Sequence, residues 1–264
     1  MEGVVAERQP GAVTLRREGA VAVVTLDRPA AHNAFTVAML RRLEELVAEV
    51  AADDDLHVLV LTGAGTRAFC AGADLGELIP QMTAGALDVG LPDPTRRFFS
   101  EFVKPIVAAV NGACLAGGLE LLLGTDLRVA AEHAVFGLPE VRWGIVPGGG
   151  SHVRLPQQIG WPAAMRLLLT GEPVDAAEAL RMGLVGEVVA AERVLPRAME
   201  LAATIAGNAP VAVRTAKEIA MRALANEPRF ALEHALTARV LATRDAREGP
   251  AAFLEKRPPR YENR

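Results

Sequence analysis

Apolar residues recur along this chain with two different periods, and the switches between them mark its elements. Alternating and β-branched positions over residues 12–16 and 20–26, around Glu18-Gly19, predict two short strands joined by a tight turn. Thr36 then stands as N-cap of a helix through about Ala51. Met39, Leu40, Leu43, Leu46, Val47 and Val50 lie on one face, and Arg41, Arg42, Glu44, Glu45 and Glu49 on the other. Residues 56–61 and 106–110 are unbroken runs of strand formers, the pattern of inner parallel strands buried on both faces. Between them, 62–76 reads as a Gly/Ala-rich loop. Residues 77–97, interrupted by Pro80, Gly85, Gly90, Pro92 and Pro94, read as a mobile excursion, and 1–11 as a frayed start.

Further on, the pattern predicts a helix over 116–124, strands over 127–130 and 134–137, and helices over 151–159 and 162–169 separated by Gly160. Asp175 caps a helix through about Met182, and Glu187-Val188-Val189 is a short strand. Helices then follow over 191–206, 210–224 and 228–243, with a last one through Lys256. Strand and helix units first and helices last give an α/β core, residues 1–195, followed by a helical C-terminal region, 196–264.

Composition narrows the function. A 264-residue chain that is 51% hydrophobic has the means to build a large core, and a net charge of -4 with only three lysines excludes the basic stripe of a nucleic-acid binder. Cys70 and Cys114 read as reduced thiols, and no secretory signal pattern opens the chain, so a cytoplasmic location is expected. The apolar run 106–124 is interrupted by Asn111, Glu120 and several glycines, which points to a soluble core and away from a membrane.

Two acidic residues stand in costly surroundings. Glu120 lies within Leu119-Glu120-Leu121-Leu122-Leu123, and Glu140 follows Gly137-Leu138-Pro139. A carboxyl in apolar company raises its pKa, and two carboxyls in unlike environments suit acid/base chemistry near neutral pH. Other chemistries fail on spacing. Gly63-Ala64-Gly65-Thr66-Arg67-Ala68 fits a dinucleotide fingerprint only until another loop follows it in place of a helix. The five histidines and two cysteines form no metal-ligand pair, so no metal is expected. Ser151 lacks the following glycine of a nucleophile elbow. What remains is a pair of small-residue turns, at 71–75 and at Ala116-Gly117-Gly118, where a ligand could approach the backbone and meet free amides. Either turn alone is better read as tight helix packing; together with Glu120 one turn past the second and Glu140 after the next strands, the joint pattern turns the reading toward a ligand.

These residues resemble the enoyl-CoA hydratase/isomerase (crotonase) family. Asp27-Arg28-Pro29 with Asn33-Ala34-Phe35, Phe69-Cys70-Ala71-Gly72-Ala73-Asp74-Leu75, Asn111-Gly112 with Gly117-Gly118-Leu119-Glu120-Leu121, and Phe136-Gly137-Leu138-Pro139-Glu140 with Gly144-Ile145-Val146-Pro147-Gly148 occur in family order. The ending, Glu248-Gly249-Pro250 with Ala252-Phe253-Leu254-Glu255-Lys256-Arg257, also resembles that of carnitinyl-CoA dehydratases. The resemblance implies a crotonase-like spiral of ββα units, a C-terminal helical region that packs trimers or dimers of trimers, and an acyl-CoA thioester as substrate, with no separate cofactor. By position, the amides of Ala73 and Gly117 would grip the thioester oxygen, and Glu120 and Glu140 match the two hydratase carboxylates. Ala71, Asp74 and Leu75 would border the substrate, Ala31 a CoA-contacting loop, and Phe253 with Lys256 a C-terminal CoA contact. Residues 77–99 would line the acyl tunnel. The implied activity is hydration of a 2-enoyl-CoA, with a double-bond isomerase, a carnitinyl-CoA-type dehydratase and a non-catalytic acyl-CoA binder as rivals. Ala116 stands beside the oxyanion position where the family carries Gly, and Trp143, bulkier than the aliphatic residue expected there, is read as filling core in preference to narrowing the acyl pocket.

Overall fold

A computed structural model describes residues 11–78, 81 and 93–262. The expected excursion at 77–97 and the frayed start therefore lie mostly outside the described residues. Strands β1 (Ala12–Glu18) and β2 (Val21–Asp27) pair antiparallel across the turn at Gly19, whose φ of 57° suits the first place of a two-residue hairpin loop. Helix α1 (Val37–Ala52) starts where the Thr36 hydroxyl accepts from the Met39 N–H, and it buries Met39, Leu43, Leu46 and Val50. This single cap is worth about 1 kcal/mol.

From β3 onward the chain alternates between two sheets. Strands β3 (Val58–Gly63), β5 (Ile106–Val110), β7 (Leu127–Ala131) and β10 (Glu187–Val189) extend β1 and β2 into a six-stranded sheet ordered β1-β2-β3-β5-β7-β10. All its pairings after the first hairpin are parallel. Strands β4 (Ala68–Cys70), β6 (Ala113–Leu115), β8 (Val135–Gly137) and β9 (Val174–Asp175) form the second sheet in that order. Strands β3, β5 and β7 of the first sheet thus hand the chain in turn to β4, β6 and β8 of the second, a spiral of strand pairs. Every residue of β3 and β5 is buried, which is why both read as continuous apolar runs.

Helix α2 (Gly117–Leu122) follows β6, and α3 (Ser151–Ile159), α4 (Trp161–Thr170) and α5 (Ala176–Arg181) follow the second sheet's last parallel pair. Then come α6 (Val194–Ala206), which packs on β3, β5 and β7, and α7 (Pro210–Ala223), α8 (Glu227–Leu241) and α9 (Asp245–Leu254). Helix α9 lies so close to the 3-10 helix Pro139–Trp143 that a Cβ at Gly249 would fall 1.8 Å from the Trp143 carbonyl oxygen. Only glycine permits that seat.

Two of the expected elements need correction. The loop read over 62–76 contains β4, and the stretch before 116 contains β6. Each is three residues long, below the length at which a period of two can be recognised.

Polar residues tie the strand ends together inside the core. Asn33, fully buried, donates to the carbonyls of Ala64 and Ala68 at 3.0 and 2.8 Å and accepts from the Arg28 N–H. Asn111 makes the matching bonds from the other side, to Gly65 and Ala68 and from Gly63. Arg28 reaches Asp74 at 2.8 Å in a nearly buried ion pair, so the loop after β4 is anchored to the end of β2. Removing one partner of such a pair costs about 3–5 kcal/mol, because the other charge is left buried.

Candidate active site

The loop after β4 turns at Gly72, with φ of 93°, and immediately forms a single parallel bridge. Phe35 donates to the Gly72 carbonyl at 2.7 Å and accepts from the Asp74 N–H at 2.8 Å. A bridge of that form uses both peptide groups of Phe35 and turns the N–H of Ala73 away. The loop after β6 turns at Ala116, whose N–H goes to the Gly137 carbonyl at 2.9 Å and whose φ of 50° and ψ of -129° are rarely adopted by an L residue. That conformation stores about 1–3 kcal/mol. Gly117 opens α2, so its N–H lacks an intrahelical partner. Neither the Ala73 nor the Gly117 N–H has a protein acceptor among the described residues. The two turns touch: a Cβ on Gly117 would lie 3.5 Å from the Gly72 Cα and 3.7 Å from the Ala73 nitrogen.

Glu120 comes one turn into α2 and is buried. Its Oε1 accepts from the Gly149 N–H at 2.6 Å and from the Ser151 hydroxyl at 3.2 Å. Gly149 must be glycine for this, since a Cβ there would sit 2.7 Å from the Glu120 Oε2. Burial pushes the Glu120 carboxyl up to about 7, helped by the negative charge of Glu233 and opposed by Gly149, His152 and Ser151. Glu140 sits on the 3-10 helix after β8, also buried, and its Oε2 has no hydrogen-bond partner among the described residues. Burial, and after it the charge of Glu120, holds Glu140 well above the usual carboxylate range. Bonds to Glu120 favour its charged form, whereas Glu140 has little to favour charge, so their surroundings differ in how readily each carboxyl ionises.

Both carboxyls and both turns border one cavity of about 330 Å³ whose remaining walls are mostly apolar, including Phe35, Phe98, Leu115 and Ile145. Ala71, Ala73, Leu75, Gly117 and Phe253 also line it. Asp74 does not: its carboxylate goes to Arg28 and to the Gly76 N–H, and it holds the loop in place. Ala31, half-buried in the short 3-10 helix Pro29–Ala31, and Lys256, exposed beyond α9, are not part of the wall either. Trp143, expected to fill core, packs against the buried cluster of Ile145, Leu241 and Ala246 and also faces the cavity. Residues three apart on a 3-10 helix stack on one side, so Trp143 follows Glu140 into the wall. Its ring meets that of Phe253 edge to face at 4.8 Å, a geometry that adds about 0.5–1.5 kcal/mol beyond area burial. Phe98 falls within the 77–99 stretch expected to line the acyl tunnel, whereas Gly149 and the bond from Ser151 to Glu120 were not anticipated; the glycine run directly before α3 was the available signal for both.

A sequence model of the family described as enoyl-CoA hydratase/isomerase matches residues 16–264. The chain belongs to the enoyl-CoA hydratase/isomerase family. Enoyl-CoA hydratase EchA19 of Mycobacterium tuberculosis is 41% identical over 266 residues, 98% of each chain. The short-chain-enoyl-CoA hydratase of Clostridium acetobutylicum is 38% identical, spanning 93% of this chain and 95% of that one. Among solved structures, carnitinyl-CoA hydratase from Mycobacterium avium matches with a TM-score of 0.85 at 38% identity, over 96% of this chain and 98% of that one. Enoyl-CoA hydratase/isomerase members act on acyl-CoA thioesters, and the two sheets with C-terminal helices seen here are that family's fold. Among the described residues no helix is long and apolar enough to cross a membrane, and no group of three His, Cys, Asp or Glu side chains is placed to hold a metal.

Proposed function

We propose that this chain is an enoyl-CoA hydratase, adding water reversibly across the 2,3-double bond of a 2-enoyl-CoA thioester to give the 3-hydroxyacyl-CoA. The observation that carries this reading is the pair of buried carboxyls, unlike in their hydrogen bonding, on one apolar cavity beside two free amides. Attack of water at C3 moves negative charge onto the thioester oxygen. The Ala73 and Gly117 N–H groups stabilise that charge more than the neutral substrate, which lowers the barrier to the step. Glu120, held ionised by Gly149 and Ser151, takes a proton from the attacking water. Glu140, protonated, gives a proton to C2, and microscopic reversibility exchanges the roles for dehydration.

The test is a panel of enoyl-CoA esters followed by loss of the conjugated thioester absorbance, with identification of the hydroxyacyl product. Consumption of a 3-enoyl-CoA with no hydroxyl product would replace this reading by the isomerase. The exposed Val211, Ile219, Leu232 and Leu236 of the C-terminal helices support self-association through that region.

The ionisation of the pair sets a pH dependence. Glu120 must be charged to act as base, so kcat/KM is expected to fall as pH drops through about 7, the value to which burial raises it. Each further unit downward costs about tenfold. Glu140 must keep its proton, and its raised pKa places a second loss on the alkaline side. The two limbs belong to the coupled pair. A profile flat from pH 5 to 9 would refute the assignment, a range of about two units either side of neutrality.

Trp143 sets acyl preference on the same reading. Trp143→Ala removes the wall shared with Phe253, and the kcat/KM of a branched or long enoyl-CoA relative to crotonyl-CoA should rise by about tenfold or more. An unchanged ratio would mean that the acyl group lies elsewhere.

A further inference from the structure

Glu233, on α8, is a buried carboxylate that does not line the cavity. It sits in the middle of a network of charges. Its Oε2 accepts from Arg97 Nε at 2.9 Å, and its Oε1 takes the His152 N–H at 3.1 Å and faces His152 Nδ1 at 3.2 Å. Arg97, whose side chain is wholly buried, is fixed in turn by the carbonyls of Pro94, Arg96 and Phe230. Phe230 and Arg97 press against the turn ahead of α3: a Cβ on Gly150 would lie 3.2 Å from Arg97 Cγ and 3.4 Å from the Phe230 ring.

The first turn of α3 is therefore held between two carboxylates. Glu120 takes the Gly149 N–H and the Ser151 hydroxyl, and Glu233 takes the N–H of the very next residue, His152. A carboxylate at a helix N-terminus meets unpaired amides and the positive end of the helix dipole. We propose that Glu233 is a positioning residue for Glu120: by clamping the first turn of α3 onto α8 it fixes the two donors that hold the Glu120 carboxylate at the cavity.

Its charge acts in the same place. The groups facing Glu120 are Glu140 from the 3-10 helix, His152 and Arg154 from α3, and Glu233 from α8, while Arg97, His152 and Arg154 face Glu233. Glu233 opposes ionisation of Glu120 and thereby makes it a stronger base. Removing that charge should leave a Glu120 that ionises at lower pH and is less well aimed.

The kinetic half of this inference rests on the hydratase reading; the ionisation half does not. Glu233→Gln keeps the volume and removes the charge. Carboxyl 13C NMR of glutamate-labelled protein, with Glu120→Gln for assignment, reads the Glu120 midpoint directly, and it is expected to fall by about half a unit or more. For crotonyl-CoA, kcat should drop about tenfold while KM moves less than about twofold, since aim and basicity matter most in the transition state. Glu233→Asp, which keeps the charge, should restore the midpoint. Glu233→Gln alone leaves Arg97 buried without its counter-charge, so Arg97→Gln with Glu233→Gln is the companion variant that removes both together. The same downward shift is expected in it. A midpoint within about 0.2 unit of the unsubstituted protein in the folded variants overturns the proposal. Absence of hydration by the unsubstituted protein would instead overturn the hydratase reading and leave the NMR result to decide the role of Glu233.

Discussion

Replacing Glu120 by Gln is expected to lower kcat for hydration of crotonyl-CoA by about two to four orders of magnitude, and Glu140→Gln by a similar factor. The amide keeps the size of the side chain, so the Gly149 and Ser151 donors still find an oxygen at position 120. What disappears is the ability to accept or give a proton. The two variants differ in their pH profiles: Glu120→Gln loses the acid limb near 7, and Glu140→Gln keeps it. Stability should move the other way. A carboxyl whose pKa is raised on folding ionises more readily in the unfolded chain, so it destabilises the fold increasingly from its unfolded pKa of 4.5 up to about 7. For Glu120 the full effect, reached above that range, is on the order of 3 kcal/mol. Glu120→Gln should therefore melt at a higher temperature at pH 8, and differ little at pH about 4, where both states are protonated. Hydration rates within about threefold of the unsubstituted protein in both variants would sink the role assignment.

Gly72→Ala is expected to cost about two to three orders of magnitude in kcat while changing KM much less. A methyl there would sit 2.7 Å from the Ala116 Cβ and 2.9 Å from the Gly117 nitrogen, on a backbone with φ of 93°. Both conflicts are relieved only by parting the two turns, and parting them separates the Ala73 and Gly117 N–H groups that the proposed hydratase reading brings onto one oxygen. Because the nearest atom is the Ala116 methyl, Ala116→Gly in the same chain should recover part of the loss. A coupling between two adjacent substitutions is the sign that they share one cause. Retention of kcat within about threefold by Gly72→Ala would show that the thioester oxygen is held elsewhere.

The sequence carried the first sheet well and the second poorly, for a physical reason. Strands buried on both faces, β3 and β5, announce themselves as apolar runs, and Thr36 and Asp175 mark helix starts by their own chemistry: each side chain accepts the backbone bond expected of it. The three-residue strands β4 and β6 are flanked by the small residues of the turns at Gly72 and Ala116, and nothing in their pattern separates them from loop. Glu120 and Glu140 were visible because an acid among leucines or after a Gly-Leu-Pro turn is conspicuous. Glu233 was not, since Ala231-Leu232-Glu233-His234 reads as any half-exposed helix, and its burial depends on Arg97 arriving from far along the chain. Trp143 packs on core as read, but its place on the cavity wall was not legible, because the helix that carries it is 3-10 and a sequence does not reveal which pitch will bring residue 143 beside residue 140.

The seating of α9 against the Trp143 carbonyl at Gly249 bears on how the protein comes into being. A chain emerging from the ribosome exposes both carboxylates long before residue 249 exists, yet until then the segment bearing Glu140 is open along the side that α9 covers. Only a chain extended through α9 has the cavity whose Trp143 and Phe253 walls meet.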